Sequence, residues 1–279
     1  LVEGIAFYQF LCAILKDYDT RKTEIIHKLQ TIGQKIFRKA YLMADMTVDH
    51  EGMQICTKPL VSFAGKLYTA PMSAVDCAVK TIGTCPRHNE AFITSGMVQY
   101  NACVGNFGGS GMAYSGSMNV LKNVLGNEYL WNNVRVKGGA YGCMCGFAPS
   151  GNGYFTSYRD PNLAKTYDIY ANAADYVRSL ALDDRELTKY IIGAVGAIDL
   201  PMTASMKGNR SLAAFLGERS FEQIQKNRDE LLATTVDDLR GLSKAVASVI
   251  EAGHICVVGS ESKITEEKDR FEYVAQLTQ

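Results

Sequence analysis

The chain has 279 residues, 47% hydrophobic and 21% charged, enough to bury a full core as one large domain or one domain plus part of another. Lys plus Arg and Asp plus Glu both number 29, so no net charge draws it to nucleic acid or an anionic membrane. The longest apolar runs, such as Leu187 to Leu200, are broken by Lys189, Gly193, Gly196 and Asp199 and fall short of a membrane-spanning helix.

The opening, Leu1-Val2-Glu3-Gly4-Ile5-Ala6-Phe7-Tyr8-Gln9-Phe10, has neither an initiator Met nor a basic leader, and reads as the interior of a longer polypeptide with any targeting segment upstream. Leu11, Ile14 and Leu15 close a first amphipathic helix. After the turn-like Asp17-Tyr18-Asp19, Ile25, Leu29, Ile32 and Ile36 recur at the spacing of a second. From Tyr41 to Asp49, Leu42, Ala44, Met46 and Val48 alternate with their neighbours, which predicts a half-buried strand. Residues 50–90, with Pro59, Pro71 and Pro86, read as a linker holding one short helix, and the domain boundary is placed there.

A second unit follows. Val98, Tyr100, Ala102 and Val104 alternate as a strand, Gly105 to Gly111 forms a glycine-rich loop, and Met118 to Val134 has helical spacing with Leu121, Val124, Leu125 and Leu130 on one face. Gly139 to Ala148 and Tyr154 to Arg159 flank the turn residues Pro149-Ser150-Gly151-Asn152-Gly153, which predicts a β-hairpin. The remainder is mostly helical. Asp160-Pro161-Asn162 opens one helix, Asp183 with Glu186 forms a capping-box pattern, and Ser220 with Gln223 and Thr235 with Asp238 open two more. A last strand at Ile255 to Val258 and a helix from about Thr265 complete the pattern. Helices grouped after an antiparallel hairpin argue for an α+β fold with one sheet covered on one face.

The residues that could carry chemistry are few. The four histidines, His27, His50, His88 and His254, lie too far apart for an HExxH or HxxEH motif. Eight scattered cysteines in a chain of this size point to a reducing compartment, and Cys143 and Cys145 share a strand face without the further pair that a structural zinc needs. The loop from Gly105 to Gly111 lacks a phosphate-loop lysine. What remains is Arg135-Val136-Lys137-Gly138-Gly139-Ala140-Tyr141-Gly142, which sets a guanidinium and a phenol a few residues apart, both able to donate to a carbonyl and to the oxyanion it becomes. Pattern alone favours a plainer account, in which Arg135 satisfies the last carbonyls of a helix, a glycine caps it and Tyr141 packs on a sheet.

The block from Arg135 to Gly142 is preceded by Tyr129-Leu130-Trp131-Asn132 and followed by Tyr158-Arg159-Asp160-Pro161-Asn162. Together with Gly4 to Leu11, Asn89-Glu90-Ala91-Phe92 and Tyr114-Ser115-Gly116-Ser117, it resembles the C-terminal half of presequence proteases, a branch of the pitrilysin and insulin-degrading peptidases. The resemblance implies a pitrilysin-type α+β module, mainly antiparallel with helices on one face, over residues 91–279. It makes residues 1–50 the C-terminal tail of a preceding similar module and residues 51–90 the linker.

It further implies a zinc metalloendopeptidase that degrades peptides in a chamber closed by two halves. Zinc would be held by an HxxEH motif in the N-terminal half of the same polypeptide, and none by this chain. Arg135 would bind a substrate carbonyl and Tyr141 would donate to the oxyanion. Alone the chain would be inactive, and a cytoplasmic or organelle-matrix location is expected. The alternative that the resemblance also admits is a catalytically dead scaffold or peptide-binding relative, which would keep this half and lack the zinc motif upstream.

Overall fold

A computed structural model describes residues 4–69 and 89–277. Packing divides the chain into two compact units, Leu1–Thr84 with Met202–Glu218, and Cys85–Pro201 with Arg219–Gln279.

In the first unit the two expected helices form at Ile5–Lys16 and Tyr18–Ile36. A third, His50–Ala64, starts where Asp49 accepts the Gly52 N–H at 2.7 Å, so a 15-residue helix occupies the first part of the expected linker. Residues 70–88, where the rest of that linker was expected, lie outside the described residues. The strand expected from Tyr41 to Asp49 does not form. A single turn, Lys39–Tyr41, leads into extended backbone without a ladder partner. Thr47 lies instead against the helix Ala204–Leu216, so closely that a Cβ on Gly208 would stand 1.7 Å from its Oγ1. Alternation sets which side chains share a face; only a neighbouring strand makes that segment a sheet.

The second unit is built on a six-stranded sheet: β1 Glu90–Thr94, β2 Gln99–Asn106, β3 Gly142–Phe147, β4 Asn152–Asp160, β5 His254–Ser260 and β6 Tyr273–Gln276, in the order β3-β4-β2-β5-β1-β6. Pairs β3/β4, β4/β2 and β2/β5 are antiparallel, and β1 lies parallel to both β5 and β6. The fold is α+β, as expected. Helix Ser243–Glu251 packs on one face, its Val249 backbone against Gly105 and its side chain against Gly153. Phe155, Tyr170, Leu121, Leu125 and Leu130 fill the core on that side, while Tyr100, Val104, Met144 and Tyr154 stand exposed.

The hairpin forms as expected, with Pro149 and Ser150 in the turn and Gly151 at φ 84°. Both capping boxes, Asp183 with Glu186 and Thr235 with Asp238, are made, and the Ser220 hydroxyl accepts from the Gln223 N–H.

Two strands were not anticipated. In β1, Ala91 and Phe92 are buried on opposite faces between β5 and β6, so no alternation marks it. The helix expected from Thr265 is replaced by a short helix, Glu261–Glu266, one further turn and β6. Phe271 is buried there and the Glu272 N–H donates to the Asn89 carbonyl at 2.8 Å, which draws the tail onto the sheet edge. Among the described residues no helix is long and apolar enough to cross a membrane.

Candidate functional site

The helix predicted over Met118 to Val134 runs from Ser117 to Val136 but changes character within. Ser117–Val124 is α-helical, and Leu125–Val136 widens into a π-helix, closed by the Lys137 N–H donating to the Asn132 carbonyl at 3.0 Å. Such widening is uncommon and often marks functional sites. Here it carries Trp131 and Arg135 one turn apart, with the guanidinium carbon 3.9 Å from the Trp131 ring centroid. An aromatic face fixes an arginine while leaving its N–H edges available to a ligand.

The chain then reverses. Gly139 takes φ 84°, its N–H donates to the Arg135 carbonyl at 2.8 Å, and the Ala140 N–H donates to the Val134 carbonyl at 3.1 Å. A Cβ on Gly138 would lie 2.3 Å from the Val134 oxygen, so this cap admits only glycine at 138 and favours it at 139. Tyr141 emerges directly afterwards, immediately before β3.

Three contacts hold Tyr141. Its N–H donates to the Arg159 carbonyl at 3.3 Å, its ring meets Tyr158 edge-on with centroids 5.5 Å apart, and the Arg159 guanidinium carbon stands 5.6 Å from its centroid. The Tyr158 ring in turn lies across Gly142, where a Cβ would come within 2.2 Å of it. Tyr141 remains 60% exposed, so its phenol is open to a ligand.

Beneath this surface, the end of β4 is tied to the cap. Asp160 is fully buried and accepts from Ser157 Oγ at 2.6 Å, Thr166 Oγ1 at 2.7 Å, the Asn162 N–H at 2.9 Å and Asn101 Nδ2 at 3.3 Å. Asn162 Nδ2 donates to the Gly138 carbonyl at 2.6 Å. Four donor groups satisfy the Asp160 carboxylate and tie it to its neighbours, while the Asn101 Oδ1 of the same network is buried without a partner.

Trp131, Arg135, Val136, Gly139, Ala140, Tyr141 and Arg159 line a surface groove of about 520 Å³. Arg135 and Tyr141, the two residues singled out from the sequence, therefore face one groove. Sequence reasoning assigned no role to Trp131 or Arg159. The signal for Trp131 was its i,i+4 spacing from Arg135 on a helix; Arg159 had none beyond its place in the block from Tyr158 to Asn162.

The nearby thiols are poorly suited to chemistry. Burial pushes Cys143 up to about 11, against a smaller opposing pull from the Arg135 charge, and Cys145 up to about 12. Among the described residues no three His, Cys, Asp or Glu side chains converge as a metal site requires. The resemblance places its zinc in the N-terminal half of the polypeptide, outside this chain.

The fold is similar to that of a protease from Helicobacter pylori, with TM-score 0.52 and 14% identity, over 76% of this chain and 52% of that one. Residues 89–263 match the PreP C-terminal domain, and the chain belongs to that family. It is 33% identical to Presequence protease 1, chloroplastic/mitochondrial, of Arabidopsis thaliana over 94% of its own length and 24% of the relative's. It is also 33% identical to Protein HypA of Clostridium perfringens, over 99% of its length and 28% of that protein's. The chain thus spans about a quarter of the length of these relatives.

Proposed function

We propose that this chain is the C-terminal part of a peptide-degrading zinc metalloendopeptidase, to which it supplies substrate-binding and charge-stabilising groups rather than the metal. The observation that carries the reading is the shared groove of Arg135 and Tyr141, each held by backbone and aromatic contacts yet open to solvent. In this role Arg135 donates to a carbonyl of the peptide and Tyr141 donates to the oxygen that gains charge as the amide is attacked. Such donors act best when their positions are set in advance and water is excluded, which a facing half of the same polypeptide achieves by closing over the groove. The zinc, and the water it would activate, are assigned to that other half, where the resemblance places the HxxEH motif.

The first unit supports the same reading. Its helices Ile5–Lys16, Tyr18–Ile36 and His50–Ala64 contain no buried residue, and Leu15, Leu29, Ile36, Ile55 and Val61 are exposed. Apolar stripes of this kind belong to a larger core, as the tail of a preceding module would.

The test is Tyr141→Phe in the full-length enzyme. Loss of one oxyanion donor lowers turnover by about 10² to 10³. Unchanged single-turnover rates mean that Tyr141 only packs, and the chain then serves as a scaffold or peptide-binding module.

A further inference from the structure

Arg159 sits where the β2/β4 ladder slips. Gln99 pairs with Asp160 and Asn101 with Ser157, so Tyr158 and Arg159 together oppose the single residue Tyr100. This is a β-bulge, a device that re-aims a side chain beside a functional surface. Arg159 takes φ 48°, one of two non-glycine residues at positive φ among those described. Glycine would occupy that conformation without strain, and an arginine there is exposed and gains little from packing. Strain retained at such a position points to a use for the side chain.

The side chain reaches the groove already described. Its guanidinium stands by the Tyr141 ring and lines the same surface as Arg135. Neither Arg135 nor Arg159 has a carboxylate partner among the described residues, a state they share with Arg185 and Arg219, but only these two line the groove. No Asp or Glu lines the groove. Two unneutralised guanidinium groups on one groove attract an anion, and the planar fork of arginine matches a carboxylate better than a lone carbonyl.

We propose that Arg159 is a specificity-determining residue that takes a carboxylate of the peptide substrate while Arg135 and Tyr141 engage the scissile amide. The inference rests on the reading of that pair given above. The carboxylate is either the peptide's C-terminus, which every product of earlier proteolysis carries, or an Asp or Glu side chain near the cleaved bond.

The experiment uses the full-length enzyme and one peptide made in matched forms: free acid against C-terminal amide, and an internal Glu against Gln. kcat and KM are measured for wild type, Arg159→Gly and Arg159→Lys. Wild type is expected to favour one carboxylate form over its neutral counterpart about tenfold in kcat/KM, mainly through KM. That ratio should fall to near one in Arg159→Gly, whose backbone fits the bulge, and be partly kept in Arg159→Lys. The pair that shows the ratio identifies the source of the carboxylate.

Wild-type ratios near one for both pairs, or a ratio that Arg159→Gly leaves intact, overturn the proposal. Tyr141→Phe in the same assay separates the two levels. If it lowers turnover by about 10² to 10³ while Arg159→Gly keeps the ratio, only the role of Arg159 falls; if it cuts at the wild-type rate, the reading of the site beneath it falls too.

Discussion

Asn162 Nδ2 donates to the carbonyl of Gly138 at 2.6 Å, joining the segment after β4 to the glycine cap between Arg135 and Tyr141. Through this bond, two motifs separated by a hairpin become one structure. Asn162 also donates its N–H to the buried Asp160 carboxylate, so the same residue links the cap to the network under the sheet.

Asn162→Ala should therefore cost about 1–3 kcal/mol, the range for removing a partner and leaving a carbonyl unsatisfied. Urea unfolding of the chain gives this directly. Activity in the full-length enzyme should fall further than stability alone explains, because the cap that separates Arg135 from Tyr141 loses its tether.

Trp131→Ala removes the face on which Arg135 rests. Stacking at an exposed position contributes about 0.5–1 kcal/mol. A rise in KM of about two- to fivefold is expected, with kcat less affected, if the role of Arg135 is binding. Steady-state kinetics distinguish this from a loss of kcat alone.

Backbone strain at Arg159 can be measured apart from its side chain's role. Arg159→Gly relieves about 1–2 kcal/mol of left-handed strain, but raises the entropy cost of folding by about 0.5–1 kcal/mol and gives up the Tyr141 contact. The net change should stay within about 1 kcal/mol. Arg159→Val keeps the strain, worsens it by branching at Cβ and should be clearly less stable; thermal melts of the two variants order them.

Alkaline pH should destabilise the chain. Burial raises Cys103 to about 11 and Cys145 to about 12, and both are nearly inaccessible. An unfolded thiol titrates near 8.5, so above that pH the unfolded state holds fewer protons than the folded one. The contribution is therefore complete below about pH 8.5 and is lost as pH rises towards 11 and 12, by at most about 1.4 kcal/mol per pH unit for each thiol. Urea midpoints between about pH 7 and pH 11 should show the decline, and Cys145→Ala should make it shallower.

Much of the second unit was legible because its signals are local. Pro149 and Gly151 specify a turn within four residues, Asp183 with Glu186 and Thr235 with Asp238 specify helix starts within one turn, and Val98 to Val104 alternates along a strand, although its apolar phase, with Tyr100 and Val104, faces outward and Gln99, Asn101 and Cys103 take the covered face. The roles given to Arg135 and Tyr141 came instead from the resemblance, since pattern alone favoured a plain helix end and a packed tyrosine; the glycine cap between them settles only that their side chains stand near one another.

The chain order alone determined those turns, caps and helical stripes, because each depends on groups a few bonds apart. Tertiary structure decided the rest. It buried both faces of β1 between parallel neighbours and so erased the alternation that would have marked it. It laid Thr47 against a helix instead of a strand, and drew the C-terminal tail onto the sheet as β6. It also turned Arg159 toward Tyr141 through a bulge that exists only because β2 and β4 pair out of step. Strand partners and bulges arise between segments far apart in the chain, and no window of neighbouring residues carries the energy of that meeting.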